Sequence, residues 1–212
     1  MTTPAADLVW PQRPEFAAMP PALRAAAQAR RYAAGAALFK LGEVPQRMFY
    51  VARGEVRLGR CSPDGGEIVL QRARDTFLAE ASIESPVYHC DAIAAEEAAV
   101  LAFPMAAFRL ALAECPEFRN RWMSHLLREM RRSRTQCERL ALRGAAARVL
   151  HYIDSEGVAG RVVLPPTRKA WAAELGLTHE ALYRTLARLT REGKVAVDGQ
   201  VARRLPGKPA AA

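Results

Sequence analysis

Residues 167–194 read TRKAWAAELGLTHEALYRTLARLTREGK, and their reading decides the fold. Trp171, Ala172 and Leu175 recur at helical spacing. Gly176 stands where a helix C-terminus favours a left-handed residue, because glycine has no Cβ to clash there. Thr178 follows as an N-cap, its hydroxyl oxygen placed to accept from a backbone N–H that the next helix leaves unpaired. That helix puts Leu182, Leu186 and Leu189 on its apolar stripe and turns His179, Glu180, Tyr183, Arg184 and Arg188 to other faces. Two helices joined this way form a helix-turn-helix whose second helix is polar enough to enter a DNA groove. An ordinary helical hairpin passes the same crude pattern, so the flanking sequence must decide.

On the C-terminal side, KVAVDGQVARRL reads as a hairpin about Asp198-Gly199. On the N-terminal side, AAARVLHYIDS (145–155) reads as a helix and RVVLP as a short strand. Three helices closed by a β-hairpin are the winged version of the helix-turn-helix. Before them, a long helix is expected from Pro116 to about Leu142. Phe118, Trp122, Leu126, Met130, Ser133, Cys137 and Leu140 recur along it at three- and four-residue steps. Such a stripe suits a two-stranded coiled coil between subunits, with Trp122, Leu126, Met130, Cys137 and Leu140 at the interface. Packing against its own domain is the alternative. Cys137 would face its twin in such a pair, where a redox-sensitive bridge could form, although a small buried thiol is the simpler reading.

The first half has a different texture. PALRAAAQARR (21–31) reads as a helix entered through proline. Short apolar runs separated by glycine or Pro-Asp-Gly signals then extend to Phe103. FYVARGEVRL alternates about Arg53-Gly54 as a hairpin would, and SPDGGEIVL supplies a second turn. Many short strands at this spacing argue for a small antiparallel roll. The expected architecture is α+β: a loose N-terminus (1–20), a β-roll effector domain with short flanking helices (21–115), a dimerisation helix (116–143), a winged helix-turn-helix (144–205) and a disordered tail (206–212).

Charge divides the chain in the same place. The net charge is +9, yet the first 115 residues hold 12 Lys+Arg against 13 Asp+Glu, and the remainder holds 19 against 9. A near-neutral first half and a basic second half imply two tasks, with a polyanionic partner on the second. Apolar runs too short to span a bilayer, and an N-terminus without the features of a signal peptide, point to the cytoplasm and away from a membrane. The four cysteines (Cys61, Cys90, Cys115, Cys137) show no metal-ligand spacing.

The order of roll, long helix and winged helix resembles the CRP/FNR family of bacterial transcription regulators from about Arg31 to Leu205. The match is carried by Gly35, Gly42 and Gly54, by FLAE (77–80), by the Pro116 start of the long helix and by the helix-turn-helix. The resemblance implies a homodimer on a two-fold symmetric duplex site, a signal sensed by the roll and relayed through the long helix, and contact with RNA polymerase. Within the family the recognition helix carries a glutamate and, four residues on, an arginine. Glu180 and Arg184 stand at that spacing, where glutamate can accept from a cytosine amino group and arginine can bridge guanine O6 and N7. His179 and Tyr183 depart from the cyclic-AMP receptor pattern and imply a half-site with a GA/TC core but different flanks. Arg168, Lys169 and Thr178 are placed for phosphates.

In cyclic-AMP receptors the roll holds the nucleotide through a glycine-glutamate pair, an arginine-serine pair ten residues on, and polar residues of the long helix. Here the matching positions are Ala79-Glu80, Cys90-Asp91 and Ser133-Arg134. Loss of the arginine removes a charge-assisted partner of the phosphate, and Asp91 adds repulsion, so a cyclic nucleotide is disfavoured and the effector, if any, is left open. A haem-, metal- or redox-responsive member of the family is an alternative. His89-Cys90 is the one adjacent His/Cys pair in the roll, and neighbours on a strand point to opposite faces. A structural or protein-binding dimer with a degenerate winged helix is a further alternative. An enzyme is not expected: only one of four histidines lies in the β region, and no nucleophile triad, P-loop or paired carboxylates appear.

Overall fold

The computed structural model describes residues 10–61, 67–165 and 167–205. These fall into two compact units, residues 1–127 and 128–212, and the division lies inside the long helix.

The first unit is an antiparallel roll of two four-stranded sheets. Its strands are β1 (Gln28–Tyr32), β2 (Ala37–Phe39), β3 (Arg47–Arg53), β4 (Val56–Cys61), β5 (Glu67–Ala73), β6 (Phe77–Leu78), β7 (Asp91–Ala94) and β8 (Ala98–Pro104). One sheet runs β1-β8-β3-β6 and the other β2-β7-β4-β5. The expected hairpin about Arg53-Gly54 is therefore corrected, since β3 pairs with β8 and β6 while β4 pairs with β5 and β7. Gly54 is where the chain steps from one sheet to the other. A Cβ there would lie 2.3 Å from the Glu97 carbonyl oxygen, and φ is +82°, so both close approach and conformation demand glycine. The second turn falls on residues outside those described, but its flanking strands pair from Cys61↔Glu67 to Val56↔Ala73, with a register shift between Leu58 and Gly59.

Short helices α1 (Pro14–Ala17) and α2 (Pro21–Ala26) precede the roll. The expectation of a loose stretch over 1–20 is corrected for its described part. Phe16 and Met19 are buried, and the Phe16 ring meets Tyr50 edge-on at 4.7 Å and stacks on Phe77 at 5.4 Å. An aromatic side chain offers more apolar area than the proline-rich composition suggested, and burying it outweighs the cost of ordering the segment. Residues 1–9 and the expected tail 206–212 lie outside the described residues. The helix expected over 21–31 stops at Ala26, because residues 28–32 pair as β1 with β8.

Helix α3 (Met105–Glu114) leads into α4 (Pro116–Ala141). Phe118 and Trp122 at the start of α4 close the roll's core with Phe77, Phe103 and Phe108; the Trp122 ring meets Phe77 at 4.9 Å and Phe108 at 4.8 Å. Trp122, at 3% exposure, is thus a core residue of its own unit, which corrects its assignment to a subunit interface. A helical stripe reveals that a face is covered, not by which surface. Leu126 packs partly on the same core, whereas Met130, Cys137 and Leu140 are exposed in the single chain.

The second unit adds α5 (Ala145–Glu156), β9 (Arg161–Val163), α6 (Arg168–Glu174), α7 (His179–Arg191), β10 (Val195–Asp198) and β11 (Val201–Arg204). Its sheet runs β10-β11-β9, so the strand before the helix pair joins the hairpin after it. Trp171, Leu175, Leu182, Leu189, Val149 and Ile153 form its core. This is a winged helix-turn-helix, with Gly176 at φ +60° in the turn.

Candidate nucleic-acid interface and effector pocket

Helix α7 is amphipathic in the sense the sequence required. Leu182, Leu186 and Leu189 are buried, while His179, Glu180, Tyr183, Arg184 and Arg188 are exposed. Thr178 caps it, its Oγ1 accepting from the Ala181 N–H at 3.2 Å, and Thr167 caps α6 in the same way through the Ala170 N–H at 3.1 Å. Glu180 sits in the first turn of α7. Its own backbone N–H, then the Thr178 hydroxyl, hold its carboxyl below the usual carboxylate range, so it is ionised near neutrality. Arg184 lies one turn further on the same face. Beside this row runs a second one: the His179 and Tyr183 rings meet edge-to-face at 4.6 Å, with Tyr183 51% exposed. The two positions that depart from the family pattern are therefore in contact with each other.

The expected phosphate contacts divide. Lys169 is exposed at the start of α6. Arg168 donates to the Gly199 carbonyl at 3.0 Å and lies over the Trp171 ring, so part of its capacity fixes α6 to the wing turn. Arg188 approaches Glu192 at 4.0 Å, and Lys194 bonds the same carboxylate at 2.8 Å.

In the roll, Ala79 takes the left-handed conformation that a glycine would take freely, with φ +75°. It presents Glu80, but Glu80 is already engaged. His125 of α4, only 4% exposed and packed on Trp122 and Phe77, places Nε2 3.2 Å from Glu80 Oε1. Sequence reading missed this partner. The available signal was His125's place three residues after Trp122, on the covered face of the helix. At the phosphate end, Asp91 Oδ1 accepts from the Leu41 N–H at 2.8 Å. Cys90 is 2% exposed and its thiol is pushed up by burial, so it is an unreactive core group. Neither position offers the cation that a phosphodiester needs, and the residues present do not fit a cyclic nucleotide bound in the receptor manner. Ser133 and Arg134 are exposed on α4 in the second unit. His89 bonds Ser82 Oγ through Nδ1 at 3.4 Å, and among the described residues no group of three His, Cys, Asp or Glu side chains could hold a metal ion. Among the described residues no helix is long and apolar enough to cross a membrane.

A β-roll, a long helix and a winged helix-turn-helix follow one another along the chain. Residues 29–115 match the family model for the cyclic nucleotide-binding domain. The chain is 26% identical over 177 residues to the CRP-like cAMP-activated global transcriptional regulator of Mycobacterium tuberculosis, covering 78% of this chain and 79% of the relative. It is 27% identical over 175 residues to the nitrogen fixation regulation protein FixK of Bradyrhizobium diazoefficiens, covering 78% and 73%. The solved structure of FixK2 from Bradyrhizobium japonicum shares the fold, with a TM-score of 0.64 at 21% identity over 87% of this chain and 99% of that one. The chain therefore carries a cyclic nucleotide-binding-type domain over residues 29–115 and is similar, over 78% of its length, to two transcription regulators.

Proposed function

We propose that the protein is a homodimeric, sequence-specific DNA-binding regulator acting in the cytoplasm on two-fold symmetric sites. The observation that carries this reading is the exposed face of α7, where Glu180 and Arg184 stand one turn apart opposite a complete buried stripe. Arg184 reads guanine and Glu180 reads cytosine in each half-site, His179 and Tyr183 set the flanking preference, and Lys169 with part of Arg168 and Arg188 holds phosphates. Exposed Met130, Cys137 and Leu140, with the free side of Leu126, form the dimer seam. The roll passes its signal along α4 to the recognition helices. Activation through RNA polymerase and repression by occlusion are both compatible with this arrangement.

The test is binding to matched and scrambled duplexes. Arg184→Ala narrows the discrimination between them by the ~1–3 kcal/mol that a bidentate guanine contact carries. Lys169→Ala weakens binding to both duplexes alike. Equal losses on both duplexes for both variants would contradict the assignment.

An effector, if the roll takes one, is something other than a cyclic nucleotide held in the receptor manner, because such a ligand would have to displace His125 from Glu80 and meet Asp91 at the position that matches the receptors' phosphate partners. Titration with cyclic AMP is expected to give neither binding heat nor a thermal shift; saturable micromolar binding would overturn this.

A further inference from the structure

Two arginines join the end of α4 to the helix-turn-helix, and all the groups involved lie within the second unit. Arg148 of α5 donates Nε to the Leu142 carbonyl at 3.1 Å and Nη2 to the Leu140 carbonyl at 3.1 Å. Its Nη1 donates to the carbonyls of Leu175 at 3.2 Å and Gly176 at 3.1 Å. The first two acceptors close α4 and the second two close α6. One guanidinium therefore caps two helix C-termini, where carbonyls lack intrahelical partners and the dipole favours a cation. Arg139 of α4, 3% exposed, donates to Ser155 Oγ at 3.0 Å, to the Glu156 carboxylate and to Gln136 Oε1, with its guanidinium over the Tyr152 ring. Gln136 in turn donates Nε2 to the Glu174 carbonyl at 2.7 Å, at the end of α6. Gly176 completes the junction, since a Cβ there would meet Leu140 Cδ2 at 2.8 Å and Arg148 Nη1 at 3.1 Å.

We propose that Arg148, supported by Arg139 and Gln136, is a positioning residue for DNA recognition. It fixes the direction of α7 relative to the last turns of α4, and so sets the distance and angle between the two recognition helices of a dimer. The inference rests on the dimeric DNA-binding reading. The segment between α4 and α5 is only Leu142-Arg143-Gly144, with Gly144 at φ +91°, which makes it the natural joint of the unit. Arg148 holds that joint closed from both sides, and it binds the helix-turn-helix turn with the same planar fork. Lysine keeps the charge but concentrates it on one nitrogen, which cannot span carbonyls of two helices. Arg148 acts through the backbone and not on a base, because four hydrogen bonds commit its guanidinium to carbonyls of the two helix ends.

The test uses the full chain and a series of duplexes in which two identical half-sites are moved apart or together by one and two base pairs. Wild type is expected to prefer one spacing by about tenfold or more, since two recognition helices must meet major grooves about 34 Å apart. In Arg148→Lys that preference falls to less than about a third of the wild-type ratio, while a single half-site binds as in wild type. Gln136→Ala, a milder cut in the same junction, moves the ratio in the same direction and carries the test if Arg148→Lys does not fold. A residue that serves stability alone would lower affinity at every spacing equally, so an unchanged spacing ratio in the folded variants overturns the proposal. A wild-type chain that binds no duplex sequence-specifically overturns instead the reading on which it rests.

Discussion

Ala79 and Glu80 show how much one residue can alter a site while its backbone stays the same. Ala79 keeps the left-handed turn that presents Glu80, at φ +75°, although it carries a Cβ. Such a conformation costs an L-residue about 1–2 kcal/mol, so Ala79→Gly is expected to raise unfolding stability by roughly 1 kcal/mol, read as a higher denaturant midpoint at unchanged slope. A lower midpoint would mean that the Cβ, buried at 5% exposure, contributes more by packing than it costs by strain. The substitution itself was legible in the sequence. Its consequence was not, because Glu80 meets His125 across 45 residues of chain and no local pattern announces that pair. The same holds for Asp91, which reads as a repulsive charge in a pocket and in three dimensions accepts the Leu41 N–H, 50 residues away.

At the scale of elements, local chemistry was the better guide. The α7 stripe, the Thr178 cap, the left-handed Gly176 and the wing turn at Asp198-Gly199 follow from residues within a few positions of one another, and all stand where the sequence puts them. Pairings between distant strands did not follow: Gly54 looks like a hairpin turn and is a step between sheets. The N-terminal segment is a second such case, since it docks by burying Phe16 and Met19 and by Arg13 reaching Asp75, which also accepts from the Tyr50 hydroxyl of β3. Burial alone pushes the Asp75 carboxyl up, but the Tyr50 hydroxyl and the Arg13 guanidinium outweigh it and hold it below the usual carboxylate range. A lowered folded value stabilises the protein fully above the unfolded pKa of about 3.9, and that contribution disappears as pH falls through the folded value. Asp75→Asn is therefore expected to be less stable than wild type near neutrality, with the difference starting to narrow below about pH 4 and shrinking further as pH falls through the folded value. Equilibrium unfolding followed from pH 7 downward checks this, and a difference that does not begin to narrow once the pH falls below about 4 would contradict it.

At the scale of the molecule, the sequence divides by charge at about residue 115, and the compact units divide at residue 127, inside α4. The long helix thus contributes to both: Phe118, Trp122 and His125 complete the roll, while Gln136 bonds the Glu174 carbonyl, Arg139 bonds Ser155 and Glu156, and the Leu140 carbonyl accepts from Arg148. In the proposed account α4 carries a change in the roll to the spacing of two recognition helices. The charge split and the domain order were legible in the sequence, but the double membership of α4 was not, because a periodic stripe does not say what covers it. The most direct test of the central claim is selection of bound duplexes from a fully randomised pool by the intact protein, with the mass of the complex measured on the selected site. The account predicts an enriched inverted repeat with a G·C-containing core in each half, bound by two chains, with affinity that falls steeply as salt is raised. Retention without an enriched motif, or one chain on a single half-site, would contradict it.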